Sequence, residues 1–219
     1  MATNQLALYN AALFACGEQA IASLSEDREP RRLLDEIWSR GGGATRYVLE
    51  QGTWDFASRS VVITASGSVT PAFGFSYAFD VPTDYVRLID VSSDEEFGSG
   101  LFYYQFEGAY IFANATPLYL RYVSDDASYG GDLALWPDTF ILWVGHWLAT
   151  QLAPRVKNDV DMLLLERRTS TLLLSARLKN TSQSAPPFPP IGADEIDHRH
   201  LDHVLELLTI RDRSKKETA

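Results

Sequence analysis

The densest group of side chains that could perform chemistry lies near the end of the sequence, in the stretch DHRHLDH. Its acidic and histidine residues are Asp197, His198, His200, Asp202 and His203. Histidine nitrogens and carboxylate oxygens are suitable ligands for Zn²⁺. On a helix only residues three or four apart are neighbours, so His200 and His203 share a face that His198 does not. The spacing matches no strong zinc signature, and we therefore interpret the stretch as the solvated start of a helix.

Three other groups of residues invite a chemical interpretation. His146 lies in the apolar stretch TFILWVGHWLATQL with no evident nucleophile, which favours a core or interface histidine over a catalytic base. The stretch SRGGGATR lacks the Lys-Ser/Thr ending of a phosphate loop and follows a predicted helix, so it is interpreted as a helix terminator. The acidic residues at 94–96 and 125–126 are interpreted as solvated loop charge. We predict no catalytic, cofactor-binding or metal-binding residues.

Composition narrows the class of protein further. The chain has 219 residues and a formal net charge of −10, which is poorly suited to gripping the phosphates of nucleic acid. The single Cys16 excludes an intrachain disulfide framework and suits a reducing compartment. The opening MATNQ lacks the cationic and apolar regions of a signal peptide. The apolar stretch 139–152 is too short to span a bilayer, so we expect no membrane partner.

The first part of the chain has the apolar period of α-helices. A first helix is predicted to be capped by Thr3 or Asn4, with Gly17 in its middle at a close helix–helix contact. A second helix is predicted to begin near Ser25 or Asp27. Its stripe would pack beside that of the first helix, giving a helical hairpin. The apolar stripe of the first helix is Leu6, Tyr9, Leu13, Cys16, Ala20 and Leu24.

The second helix carries Pro30 in its first turn, where proline is tolerated, and ends at the glycines 41–43. A short third helix is predicted over roughly 44–51. This helix and the residues after it are expected to bury Tyr47, Val48 and Trp54. The predicted buried face of the second helix is Leu33, Leu34, Ile37 and Trp38.

From Trp54 to Tyr122 the apolar period changes to two, and β-branched and aromatic runs alternate with Gly, Pro, Asp and Ser. This pattern predicts a small, mostly antiparallel sheet. The pair Glu107-Gly108 lies between two apolar runs and is predicted to form a two-residue hairpin turn.

Helical pattern returns after the stretch SDDASYGGD. A tryptophan-rich helix is predicted from Pro137 to about 152, with Trp143, Trp147 and Leu148 in the core. Pro154 is expected to break or kink it, and a longer helix is predicted over about 156–179. The stretch NTSQSAPPFPPIG is then an extended linker, followed by one last amphipathic helix.

These elements predict an α+β fold: a helical bundle from N- and C-terminal segments with an inserted, mostly antiparallel β-sheet, plus an extended C-terminal arm. The predicted boundaries are 1–53 and 133–181 for the bundle and 54–125 for the β-domain. Residues 182–219 form the Pro-rich linker and a C-terminal docking arm.

Three blocks of this sequence resemble the tail tubular protein A family of short-tailed bacteriophages. They are LYNAAL…GE…IASLSEDREPRRLLDEIW within 8–38, VLEQGTWDFASR at 48–59 and FGFSYAFDVPTDYVRLIDV at 73–91. The stretches PLYLRYVSD and WPDTFILWVGHWLATQLA are also similar to the family. Members are head-to-tail adaptors, or gatekeeper-ring proteins.

The resemblance implies a structural virion protein that is assembled in the cytoplasm of the bacterial host and located at the head–tail junction. It implies a ring of identical subunits, twelvefold, with the portal protein on one side and the tail nozzle on the other. Double-stranded DNA would pass through the channel without specific binding, which the net negative charge favours. The five Trp, ten Tyr and eleven Phe exceed what the predicted core accommodates, and aromatic residues are favoured at interfaces.

Two other classes stay open. One is a tail-associated enzyme that degrades peptidoglycan, which needs two carboxylates in a cleft, with Glu18, Glu50 and Glu107 as the residues to place. The other is a monomeric binding module or assembly chaperone. For the adaptor we expect interfaces in the arm and in two polar loops, VSSDEEFGSG and SDDASYGGD. The candidate interface residues are Phe188, Ile196, Leu201, Val204, Leu205, Leu208, Glu95, Phe97 and Tyr129.

Overall fold

A computed structural model describes residues 4–98, 101, 103–156 and 161–181. Within these residues the chain is α+β, with five α-helices and two antiparallel sheets of three strands each, so the predicted fold class is confirmed. The helices are α1 (Gln5–Ala15), α2 (Glu29–Ser39), α3 (Ala44–Glu50), α4 (Asp138–Val156) and α5 (Met162–Thr181). The strands are β1 (Ser58–Ile63), β2 (Tyr77–Asp80), β3 (Tyr85–Ser92), β4 (Tyr104–Glu107), β5 (Tyr110–Ala113) and β6 (Leu118–Ser124). The predicted arm lies outside the described residues.

Helix α4 is the centre of the helical layer and packs against α1, α2 and α5. It is apolar on most of its surface, which is typical of a helix enclosed by others. Trp143 and Phe140 contact Trp54 at ring-centroid distances of 6.2 and 4.7 Å, and Trp136 contacts Phe140 edge to face at 4.8 Å. Each such buried aromatic pair adds about 0.5–1.5 kcal/mol beyond the burial of area.

The two sheets have the strand orders β1-β6-β3 and β2-β5-β4. The central strand β6 contributes to two separate cores, because alternate side chains of a strand point to opposite faces. Leu118, Leu120 and Tyr122 pack against the second sheet, while Val123 joins the core of the helical layer. The first sheet therefore lies between the helices and the second sheet.

The first helix is shorter than the sequence predicts. It begins at the expected cap, where the side chain of Asn4 accepts the N–H of Ala7 at 2.9 Å, but it ends at Ala15. Gly17 has a φ of 72°, the left-handed conformation that ends many helices, so its place is at the terminus and not in the middle. Leu24 therefore lies beyond the helix and is partly exposed.

The second helix also starts differently. Its N-cap position is Arg28, and within the described part of the chain no side chain caps it, so Ser25 and Asp27 are not caps. The first turn, with Glu29 and Pro30, is as predicted. The glycines 41–43 do interrupt the helical path, with positive φ at Gly41.

Three smaller expectations need correction. Tyr47 is 47% exposed, because α3 places it on its outer side, where it stacks on Trp147 at 5.0 Å. The hairpin loop between β4 and β5 is one residue later than predicted, since Glu107 pairs with Tyr110 and Gly108 supplies the positive φ. Helix α4 continues through Pro154 to its last residue, and α5 begins six residues later than predicted.

The turn after β6 packs the sheet tightly against the helical layer. A Cβ at Gly130 would lie 2.4 Å from the carbonyl oxygen of Ser124 and 2.7 Å from Cδ1 of Leu49. The carbonyl of Gly130 accepts the indole N–H of Trp136 at 2.9 Å. This position requires glycine because backbone and core atoms occupy the place of a side chain.

We predict that Gly130→Ala lowers the free energy of unfolding by about 1–3 kcal/mol, the usual penalty for overpacking. The control is Gly67→Ala, where no described atom lies within 4 Å of the added Cβ and little loss is expected. Urea unfolding of the two variants beside wild type measures both effects. Equal stability of the two variants would contradict the close approach.

Candidate functional site

A carboxylate between β2 and β3 joins several elements. The side chain of Asp84 is 15% exposed and forms an ion pair with Arg59 of β1 at 2.7 Å. It accepts hydrogen bonds from the hydroxyl of Tyr122, at 3.0 Å, and from the hydroxyl of Ser124. The backbone N–H of Asp125 donates to the carbonyl of Asp84 at 3.1 Å. One residue thus holds β1, β3 and β6 together.

The protonation state of this cluster follows from its contacts. Burial alone would raise the pKa of Asp84, but hydrogen bonds from Ser124, Arg59 and Tyr122 favour the charged form and lower the pKa overall. Burial and the neighbouring carboxylate raise the pKa of Tyr122, so its hydroxyl stays a donor. At neutral pH the cluster is a stable ion pair with satisfied partners, which suits a structural role.

A second ion pair connects the helical layer to the same corner of the sheet. Arg46 of α3 contacts Asp125 at 2.7 Å and donates to the backbone carbonyl of Tyr85. Both charged side chains are partly exposed, so the pair contributes no more than about 1 kcal/mol. Its value is positional, because it fixes α3 against the start of β3.

The loop after β3 holds two of the candidate interface residues. Glu95 is exposed, whereas Phe97 is half-buried, has a φ of 54° and lies under the guanidinium of Arg121 at 4.5 Å. The carboxylate of Asp94 accepts the backbone N–H groups of Glu96 and Gly98 at 3.0 and 2.9 Å. This loop is shaped by internal hydrogen bonds.

The loop after β6 holds a third candidate interface residue. Tyr129 is half-buried, and the guanidinium of Arg59 lies 5.3 Å from its ring centroid. Asp126 organises the loop by accepting the N–H of Ser128 at 2.8 Å and of Tyr129 at 2.9 Å. Because the same loop contacts Asp84 and the helical core, its shape belongs to the fold as much as to any interface.

The remaining candidates, Phe188, Ile196, Leu201, Val204, Leu205 and Leu208, lie outside the described residues, as does the stretch DHRHLDH. Among the residues that the structure describes, none forms a cluster of three or more ligating side chains suited to a metal ion. None of the described helices is long and apolar enough to cross a membrane.

Helix α5 carries apolar side chains on two sides. Leu165 and Ala176 are buried against α4. Leu163, Leu174 and Leu178 point the other way and are 58%, 57% and 62% exposed. We call these three leucines the outer leucine face; their spacing of 11 and 4 residues places them on one side of the helix.

A cleft of about 320 Å³ lies at the N-terminal end of α5, beside the outer leucine face. Phe14, Leu164, His146 and Arg168 line it. His146 is 8% exposed, and its Nδ1 has no hydrogen-bond partner among the described residues. Burial and the charge of Arg168 lower the pKa of His146, which favours the neutral imidazole. The cleft is thus lined by both apolar and polar side chains, with Asp161 and Arg168 as its charged residues.

The outer side of the second sheet carries an aromatic patch, which we define as Phe73, Phe75, Tyr103 and Phe112. Phe75 stacks on Tyr103 at 4.9 Å, and Phe73 is 88% exposed in the β1–β2 loop. The patch borders a cavity of about 430 Å³. Glu107 is the only carboxylate among the described residues that line it, so the cavity lacks the carboxylate pair of a glycosidase.

No family model matches this chain, and a search of curated proteins finds no match for it. The resemblance to the tail tubular protein A family therefore stays a sequence-based expectation.

Sequence reasoning missed the outer leucine face and the aromatic patch. The first had a signal in the runs MLLL and TLLL, because three consecutive leucines on a helix cannot share one face. For the second, the excess of aromatic residues in the composition was a general signal, but the period of two in FGFSYAF does not tell which face of a sheet another layer will cover.

We predict that Asp84→Asn lowers the free energy of unfolding by about 2 kcal/mol at pH 7, because Arg59 loses its partner. The folded-state pKa of Asp84 is lowered, so the wild-type advantage is present above the unfolded value of about 4 and is lost as pH falls through the folded value. Urea unfolding between pH 7 and pH 3 measures the difference. Asp27→Asn is the control, because its pair with Arg32 is exposed; a similar loss there would refute the specific role of Asp84.

Proposed function

We propose that this chain is a structural subunit of a phage head-to-tail adaptor, assembled as a ring between a portal and a tail nozzle. The proposal begins from the resemblance of the sequence to the tail tubular protein A family. The α+β class of the fold is compatible with it. The proposed partners are further copies of the chain, the portal protein and the nozzle protein.

The observation that carries the proposal is a pair of exposed apolar surfaces on different layers of one subunit. The outer leucine face lies on the helical layer and the aromatic patch on the second sheet. Exposed apolar clusters mark interaction sites. A ring subunit needs at least two different contact surfaces, because a heterologous interface joins unlike patches of neighbouring copies.

Charge supports the second part of the proposal, the passage of DNA. The net charge of −10 repels phosphates and favours a channel through which DNA slides without specific binding. The virion and its assembly in the host cytoplasm follow from the proposed role.

We predict that the purified full-length chain is monomeric alone and forms closed rings when mixed with the portal protein encoded by the same genome. Its negative charge favours solubility, and the portal supplies a template. Analytical ultracentrifugation and electron microscopy of both samples measure this. The adaptor role would be refuted if the chain stayed monomeric beside assembled portal. Clearing of purified cell walls would support the lytic alternative instead.

We also predict that Phe73→Ser with Tyr103→Ser leaves the unfolding midpoint nearly unchanged and reduces assembly on the portal or the nozzle at least tenfold. Removing two exposed aromatic rings deletes contact area, and aromatic residues are frequent binding hot spots. Val62→Ser is the matched control, since Val62 is 58% exposed on β1 and outside the aromatic patch. Normal assembly of the double variant would exclude the patch as an interface.

A further inference from the structure

The outer leucine face is an unusual surface for a helix that is already packed. On its inner side α5 is fixed by Leu165 and Ala176, and the exposed leucines add nothing to that contact. Leu163 and Leu178 are 15 residues apart, so the face extends for about 22 Å along the helix. A second helix laid along it could cover the whole length.

The charge of α5 opposes that of the whole chain. The helix contains one glutamate, three arginines and one lysine, a net charge of +3 in a chain of −10. Arg167 and Arg168 are exposed, and no salt bridge joins either to a carboxylate of the described residues. The face therefore suits a partner that is both apolar and acidic.

The chain itself contains such a partner. Residues 194–210 carry five acidic residues and one arginine, a net charge of −4. Within them Leu201, Val204, Leu205 and Leu208 recur at steps of three, one and three, the spacing of one helical face. A helix of 17 residues would be about 26 Å long, which matches the length of the outer leucine face.

The length of the linker favours docking of the acidic segment on a neighbouring copy of the chain. Residues 182–193 separate α5 from the acidic segment, and four of the five residues at 186–190 are prolines. An extended proline-rich spacer of twelve residues reaches about 37 Å. Packed helices are only about 8–10 Å apart, and connections between neighbouring helices usually need about 2–8 residues. The spacer is thus longer than a return to the same helix requires.

We propose that residues 194–210 of one copy dock on the outer leucine face of the next copy, with their acidic side chains near Arg167 and Arg168. This inference rests on the proposed ring and names the surface that receives the arm. Repetition from copy to copy makes the contact heterologous, so it closes when the ring closes.

Crosslinking of full-length chains tests the pairing directly. One chain carries Leu174→Cys and a second carries Leu205→Cys, and the two are mixed with the portal protein and a short bis-maleimide crosslinker over a series of concentrations. The native Cys16 is 3% exposed and does not compete. We expect a crosslinked dimer in the mixture and little in either chain alone.

Two further experiments distinguish docking on a neighbouring copy from docking within the same chain. Leu142→Cys replaces Leu174→Cys as the control, because Leu142 is 48% exposed on α4 and outside the outer leucine face; we expect at least a fivefold lower yield. Crosslinking only within a chain that carries both cysteines would show that the arm returns to its own α5 and would overturn the proposal. Absence of crosslinking in both designs would overturn it as well.

Charge reversal supplies an independent check. Arg167→Glu with Arg168→Glu should lower the crosslink yield about fivefold, and Asp202→Arg with Glu206→Arg in the partner chain should restore it. A crosslink yield that does not change when these charges are reversed would contradict the electrostatic part of the proposal. Rings that form on the portal without crosslinking would refute this inference and leave the adaptor role standing. Crosslinking without rings would support the docking contact and refute the adaptor role.

Discussion

The ion pair between Asp84 and Arg59 is the contact on which the arrangement of strands in the first sheet depends. It sits where β1, β3 and β6 meet, and Ser124 and Tyr122 complete its hydrogen bonds. A partly buried carboxylate is stable only when such donors compensate its lost hydration. Because these donors lie on different strands, they can all reach the carboxylate only when the strands pair in one particular register.

The aromatic residues fall into two groups, one buried in the helical core and one exposed on the outer sheet. Trp54, Trp136 and Trp143 are enclosed among the helices, where their large apolar areas make the greatest contribution to stability. Phe73 and Tyr103 remain on the surface, where they add nothing to the core. The excess of aromatic residues in the composition is therefore partly explained by the helical core and partly by the outer sheet.

How much of this could be predicted depended on the range of the interactions. The α+β class, the helix at α4 and the cap at Asn4 were predictable, since apolar period and capping are local. The end of α1 was missed because Gly17 was taken as a packing glycine when its positive φ makes it a terminator. The cluster at Asp84 was not predictable, because it joins residues 25 to 40 positions apart. The exposed surfaces required knowledge of which sides other layers cover.

Strand β6 also determines how the sheets and the helices respond to mechanical force. Its side chains enter both hydrophobic cores, and neither sheet nor bundle can shift sideways without moving it. A force applied to the outer sheet is thus carried to the helices through side chains on the two faces of the first sheet, and the hydrogen bonds on both edges of β6 hold that sheet together. A pull that separated the two sheets would have to expose Leu118, Leu120 and Tyr122, which lie between them, and would leave both strand ladders of the first sheet intact.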